Sequence, residues 1–197
     1  MGKGRLLRGM METAAREKEK YDRMHNIPGY SPGPGVAHVR TAEGYMPKGC
    51  SVIDFGTGTG DAVAAFLSRG FDAWAVDISK EGLRHDLGEK FLQGPLWALP
   101  DGLPAADWGF CCDVMEHIPP DKVEESLRQM AGRVANCFFA ISGVPDSWGK
   151  KIGETLHLTV RPCPWWFARL QSYWDCIRLV EDTGSVFIFV ARGARHD

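Results

Sequence analysis

Residues 53–61 read IDFGTGTGD, three glycines at alternate positions with an acid before them and another after. The preceding CSVIDF is an apolar run of strand length. The following GDAVAAFLSRG has helical character and closes on Gly70. A glycine turn between strand and helix is where an open α/β sheet meets its ligand. Spacing excludes two common ligands. The dinucleotide turn G-x-G-x-x-G needs a glycine in its sixth place, where the register from Gly56 has Asp61 and that from Gly58 has Val63. There is no G-K-[ST], so the triphosphate loop fails too. Asp61 would also repel a pyrophosphate at the helix start. A ligand with a cationic or zwitterionic tail suits the turn better. Gly56, Gly58 and Gly60 let the backbone come close, and Asp54 is placed to receive an ammonium group, directly or through water.

Outward from this turn the chain alternates. DAWAVDI is a second strand ending at Asp77, where an acid accepts both ribose hydroxyls. SKEGLRHDLGEKF reads as a short helix capped by Ser79, and LWAL as a brief third strand. WGFCCDV and NCFFAIS are the fourth and fifth strands, separated by a helix in PPDKVEESLRQMAGRV. Such alternation predicts a parallel sheet covered on both faces. PWWFARLQSYW is then a helix, and CIRLVED and SVFIFVA form a hairpin about a TG turn, so the sheet ends on a reversed strand. At the N-terminus, Leu7, Met10, Met11, Ala14 and Tyr21 recur at helical spacing over residues 5–24. The Pro- and Gly-rich HNIPGYSPGPGVAH predicts a loop after it. The chain divides into an N-terminal helix and lid or brace over 1–49 and a ligand-binding domain over 50–197.

With 197 residues the chain fits one domain with a real core. A net charge of −2 gives no global basic field for nucleic acid. No apolar run spans a bilayer, the N-terminus has no secretory h-region, and position 6 lacks the Ser or Thr of a myristoylation signal. The six cysteines form no C-x-x-C pair, which predicts buried thiols in a reducing compartment, by default the cytoplasm, rather than a disulfide frame or zinc site.

The turn, the WAVDIS that follows and the segment FCCDVMEHIPP together resemble the class I S-adenosylmethionine (SAM)-dependent methyltransferases over roughly residues 50–191. The resemblance implies a three-layer Rossmann-like α/β fold, a mostly parallel seven-stranded sheet with the last strand antiparallel. It implies SAM as cofactor and methyl transfer to an oxygen or nitrogen. Carried onto this chain, it assigns cofactor binding to Asp54, Gly56, Thr57, Gly58, Gly60, Asp77 and Ile78. Leu96 and Trp97 then flank the adenine, and Asp113 lies beside the methyl donor. YSPGPG near the start and LHLTVRP before a WW pair resemble small methyltransferases of phages and prophages, which implies a host cytoplasm.

Methyl transfer from a sulfonium is an in-line displacement. It asks chiefly for alignment and water exclusion, with a base for a hydroxyl acceptor and no metal. Candidates for the base are His157 and His117. Each has a plain alternative, an edge strand for LHLTV and a loop-fixing network for Asp113, Glu116 and His117. Glu116 is read as positioning. An insertion at about 143–163 is expected on the acceptor side, with Thr159 and Arg161 as acceptor contacts, Arg161 for an anionic one. Tyr21, His25 and Tyr30 are lid candidates, with Gly29, Gly33 and Gly35 as hinges.

The expected acceptor is a small molecule, sugar or nucleotide. Nucleic-acid base methylation is the alternative, helped by Lys3, Arg5, Arg8, Arg16, Lys18, Lys20 and Arg23. Against it, D-P-P-[YFW] and N-P-P-[YFW] are absent, and the Pro-Cys at Cys163 follows the fifth strand, outside the place of a nucleophile loop. A third reading is a protein that binds or sequesters SAM without turnover. No membrane partner is expected, and nothing in the sequence sets the oligomeric state.

Overall fold

The computed structural model describes residues 2–30 and 35–195, with side chains from Gly9 onward except Met10. The readings placed on Lys3, Arg5, Leu7, Arg8 and Met10, and the loop residues 31–34 with the proposed hinge Gly33, lie outside what is described.

Two helices open the chain, α1 (Gly2–His25) and α2 (Gly35–Glu43). There follow β1 (Ser51–Phe55), α3 (Asp61–Ser68), β2 (Asp72–Asp77), β3 (Phe91–Gln93), β4 (Ala106–Cys112), α4 (Val123–Ala131) and β5 (Val134–Ser142). The chain ends with α5 (Cys163–Gln171), β6 (Trp174–Asp182) and β7 (Val186–Ala194). One sheet has the order β3-β2-β1-β4-β5-β7-β6. Strands β1 to β5 pair in parallel, and β7 runs antiparallel between β5 and β6. This is the mostly parallel seven-stranded sheet with its last strand reversed that the sequence predicted. Strand order reverses between β1 and β4, and such a switch point opens a crevice at the carboxyl ends of the strands.

The two faces follow from the period of two along each strand. Phe110 and Phe138 point to one side, stack at 5.8 Å and pack with Phe66 of α3 and Val39 and Ala42 of α2. Their neighbours Cys111 and Phe139 point to the other side, where Leu127 and Met130 of α4 and Trp166 of α5 cover them with Trp174. Burying each such ring contributes about 1.5–3 kcal/mol relative to exposure. All six cysteines are free; Cys111, Cys112, Cys137 and Cys163 are buried and Cys176 is exposed.

Four local readings need correction. The third strand is Phe91–Gln93, and Leu96 and Trp97 instead occupy a turn whose side chains enter the core. A short apolar run states burial, not conformation. No helix begins at Ser79. Only a short 3₁₀ segment forms, His85–Lys90, broken at Gly88. The Ser79 hydroxyl accepts the Glu81 N–H (3.1 Å) and donates to Asp22 of α1 (2.6 Å). Residues 35–43 are a helix rather than more loop. Val39, Ala42 and Met46 carry its buried stripe and that of the turn after it. The segment 157–160 forms no edge strand.

Candidate active site

The glycine turn is built as its spacing requires. Gly56 and Gly60 have φ of 80° and 82°, in the region that favours glycine. A Cβ on Gly56 would stand 2.4 Å from a Val114 methyl, and one on Gly60 would stand 2.5 Å from Leu87. Asp61 turns away from the ligand side. It accepts Thr59 (2.8 Å) and pairs with Arg84 (3.1 Å).

The turn forms the floor of a cleft of about 370 Å³. Asp54, Asp77 and Asp113, from the ends of β1, β2 and β4, all line it. Asp54 is buried and accepts the Thr57 hydroxyl at 2.7 Å. Burial pushes its carboxyl up to about 7, with repulsion from Asp77 adding and the Thr57 bond opposing. Asp77 accepts the N–H groups of Gly58 and Ser79, each at 2.9 Å. Burial raises it as well, against those bonds. A carboxylate has about four lone-pair directions, and with the Ile78 N–H also nearby at least one remains for a ligand. Asp113 takes a φ of 56°, uncommon for a side-chain-bearing residue. Burial raises its carboxyl while His38 and His157 pull it down. Ile78, Leu96 and Trp97 form an apolar wall. Trp97 is 2% exposed, so it walls the cleft from within the core and offers no free stacking face.

Helix α1 crosses the mouth of this cleft. Asp22 ties it to Ser79 at the β2 end. On the opposite side Arg23 donates to the Ile152 carbonyl (2.6 Å) and Lys20 to that of Thr155 (3.4 Å). Glu17, Tyr21 and His25 face the cleft from α1, and Tyr30 continues the wall. His25 and Tyr30 meet edge to face at 5.8 Å, and Tyr30 meets Trp148 likewise at 5.7 Å. Burial lowers the His25 imidazole and pushes the Tyr30 phenol up to about 12.

A further wall of the cleft comes from residues 143–162. Asp146 organises it, accepting the N–H groups of Gly149 (2.7 Å), Leu156 (2.8 Å) and His157 (3.3 Å). Asp146, Trp148 and Leu156 line the cleft and were missed in the sequence; the turn signal Pro-Asp-Ser at 145–147 was the available clue. His117 and His157 lie together, ring centroids 4.6 Å apart. His117 Nδ1 is 2.7 Å from the Tyr21 hydroxyl. Burial, then His157 and Lys20, lower its imidazole to about 3, against Asp146 and the Leu156 carbonyl. His157 Nδ1 lies 2.5 Å from the Val144 carbonyl. A carbonyl only accepts, so Nδ1 carries a proton, and in the neutral ring the lone pair is then on Nε2. Glu116 sits beneath them, 0% exposed, and burial raises its carboxyl well above the usual range, with Asp113 adding. Thr159 is fully buried, its hydroxyl donating to the Ile118 carbonyl (2.7 Å) and its backbone N–H to the Glu116 carbonyl (2.8 Å), so it fastens the insertion to the loop after β4. Arg161 lies outside the cleft, its guanidinium over Trp165 at 5.8 Å.

No family profile matches the chain, and no curated protein matches it. Solved structures do. An O-methyltransferase family protein from Burkholderia thailandensis is 17% identical with a TM-score of 0.58; 83% of this chain is matched, and it spans 59% of that protein's length. The 1,6-didemethyltoxoflavin-N1-methyltransferase of Burkholderia thailandensis, solved with 1,6-didemethyltoxoflavin and S-adenosylhomocysteine, is 18% identical with a TM-score of 0.59 over 98% of this chain and 89% of its own. The N-terminal domain of EvdMO1, solved in the presence of S-adenosylhomocysteine and D-fucose, is 13% identical with a TM-score of 0.62 over 93% and 97%. With its strand order and reversed β7, this chain has the three-layer Rossmann-like fold found in the class I SAM-dependent methyltransferases.

Proposed function

We propose that the protein is a SAM-dependent methyltransferase acting on an oxygen or nitrogen of a small molecule, sugar or nucleotide. What supports this best is the convergence of Asp54, Asp77 and Asp113, from three strand ends, on one cleft with an apolar wall. That donor set fits a nucleoside with a zwitterionic tail. Asp77 has at least one acceptor direction left for a ribose hydroxyl, Asp54 is placed for the ammonium group, and Ile78, Leu96 and Trp97 wall the base. When bound, SAM supplies an electrophilic methyl on a sulfonium that leaves as a neutral thioether.

The chain's own residues then align and enclose. Alignment is worth ~7–11 kcal/mol at best. Helix α1 and residues 143–162 cover the cleft from both sides and exclude water. With an imidazole held at about 3, His117 is a poor base near neutrality. His157 keeps an Nε2 lone pair on the acceptor-side wall and is the better candidate to take a proton from a hydroxyl. A small acceptor is supported by the size of the cleft and by the small molecule bound to the didemethyltoxoflavin enzyme, a protein 18% identical. Six free thiols suit a reducing compartment such as the cytoplasm.

The test is SAM labelled on its methyl group, mixed with the protein and separated pools of DNA, RNA, protein and small metabolites. Label in the small-molecule pool, lost on omitting the protein, supports the proposal. Label in DNA or RNA moves it to base methylation. Binding without label in any pool leaves a SAM-sequestering protein, and no binding of SAM sinks the assignment.

A further inference from the structure

We propose that Glu116, His117 and His157 hold a first-row divalent cation at the acceptor end of the cleft. One ligand atom from each of the three lies within 4.8 Å of the others. Two independent features of the surroundings point to a ligand there. Glu116 is 0% exposed, yet neither of its carboxyl oxygens makes a well-formed hydrogen bond among the described residues; the backbone N–H groups of Glu116 and Ser142 lie near enough to favour its charge but complete no such bond. Buried polar atoms are nearly always partnered, and an orphan carboxyl against two imidazoles is the pattern an ion would complete. The second feature is the tautomer of His157. Metal-bound histidines donate their other ring N–H to a carbonyl or carboxylate, and His157 already donates Nδ1–H to Val144, leaving Nε2 for the ion.

The rest of the environment agrees in sign. Asp113 and Asp146 lie close enough to act on these imidazoles. Lys20, a cation that acts on His117, is already paired with Glu17. The Tyr21 hydroxyl holds His117 Nδ1, so a cation takes the other ring nitrogen, for which the Leu156 carbonyl is the competitor. Two imidazoles and one carboxylate suit Mn²⁺, Fe²⁺, Co²⁺ or Zn²⁺ better than Mg²⁺ or Ca²⁺. His117 and His157 line the cleft and Glu116 lies beneath it, so the open coordination positions face the cleft. An oxygen acceptor bound there would be oriented and acidified by the ion, with His157 as ligand and not base. That consequence rests on the methyl-transfer reading; cation binding does not.

The experiment is titration of the full chain with Co²⁺ alone, read by visible d–d absorption and calorimetry, with Zn²⁺ as competitor. The expected result is one equivalent per chain, displaced by Zn²⁺. Glu116→Gln and His157→Ala should each weaken binding by ~100-fold or more, beyond what loss of a supporting partner usually costs. His85→Ala and Cys176→Ser, at exposed positions elsewhere, should leave it unchanged. SAM titrated into each variant reports separately whether the cleft is folded and whether the cofactor assignment stands. The proposal is overturned if the unaltered chain binds no equivalent of Co²⁺. It is equally overturned if Glu116→Gln and His157→Ala, with SAM binding retained, bind Co²⁺ as tightly as the parent.

Discussion

The hydroxyl of Tyr21 lies 2.7 Å from Nδ1 of His117, so a residue of the first helix fixes an imidazole 96 positions later in the chain. Tyr21→Phe removes this bond and leaves a buried ring nitrogen without its partner. The expected cost is ~1 kcal/mol in folding stability, read from the urea midpoint. On the proposed reading kcat falls while SAM affinity holds, because the bond serves the acceptor side. Equal loss in both would place Tyr21 in general folding of the lid.

Asp77 both braces the glycine turn and faces the cleft. Asp77→Asn keeps its size but replaces one acceptor oxygen with a donor facing the Gly58 or Ser79 N–H. SAM binding should weaken at least ~10-fold, since hydrogen bonds to a charged acceptor contribute about 1.5–3 kcal/mol each. Calorimetry measures it, and the melting temperature should fall at the same time. A variant with unaltered SAM affinity would remove Asp77 from the cofactor site.

The pH dependence of stability follows from Asp54, whose folded carboxyl titrates at about 7 against an ordinary 3.8. Below 3.8 the folded and unfolded chains are both protonated and the group is neutral toward stability. As pH rises toward 7 the unfolded chain releases its proton first, so the ligand-free protein loses stability across that window and stays lower above it. Asp77, also raised, acts in the same direction. Asp54→Asn should flatten the slope in urea midpoints taken across this range. If Asp54 receives the ammonium group of SAM, cofactor affinity rises over the same window and this rise disappears in the variant.

Two glycines separate backbone strain from steric clash. Gly56 and Gly70 both have φ above 80° or at it, 80° and 86°, but a Cβ at Gly70 meets nothing within 4 Å while one at Gly56 strikes Val114. Gly70→Ala should cost about 1 kcal/mol or somewhat more. Gly56→Ala should cost clearly more and weaken SAM binding, by equilibrium unfolding and calorimetry. Equal costs would mean that Val114 moves freely.

Arg161 was expected at the acceptor and lies outside the cleft, over Trp165. Arg161→Ala should therefore change SAM affinity and turnover by less than ~2-fold, since exposed side chains away from special features matter little. A large fall in turnover would bring a second conformation of residues 143–162 into the argument.

Some of the site was legible because its signals are short-range. The alternate glycines with flanking acids sit at a strand end, and the strand-end acids Asp54, Asp77 and Asp113 follow from where β1, β2 and β4 stop. The third strand was misplaced for a physical reason. FLQ is brief and half-buried, whereas LWAL is apolar because it plugs the core from a turn. The helix at 35–43 was hidden behind the prolines of YSPGPG, although Val39, Ala42 and Met46 carried its spacing.

The sequence by itself determined the sheet (its third strand excepted), the reversed last strand and the glycine turn, because residue alternation, apolar runs and turn chemistry act within a few residues of one another. Only the tertiary structure decided that α1 bridges Ser79 and Ile152 across the cleft, that Thr159 is a buried fastener, and that His157 meets Glu116 and His117. Those meetings join positions 40 or more residues apart. They depend on how α1 and residues 143–162 pack on the finished sheet, where burial takes water from Glu116 and a carbonyl fixes the proton of His157.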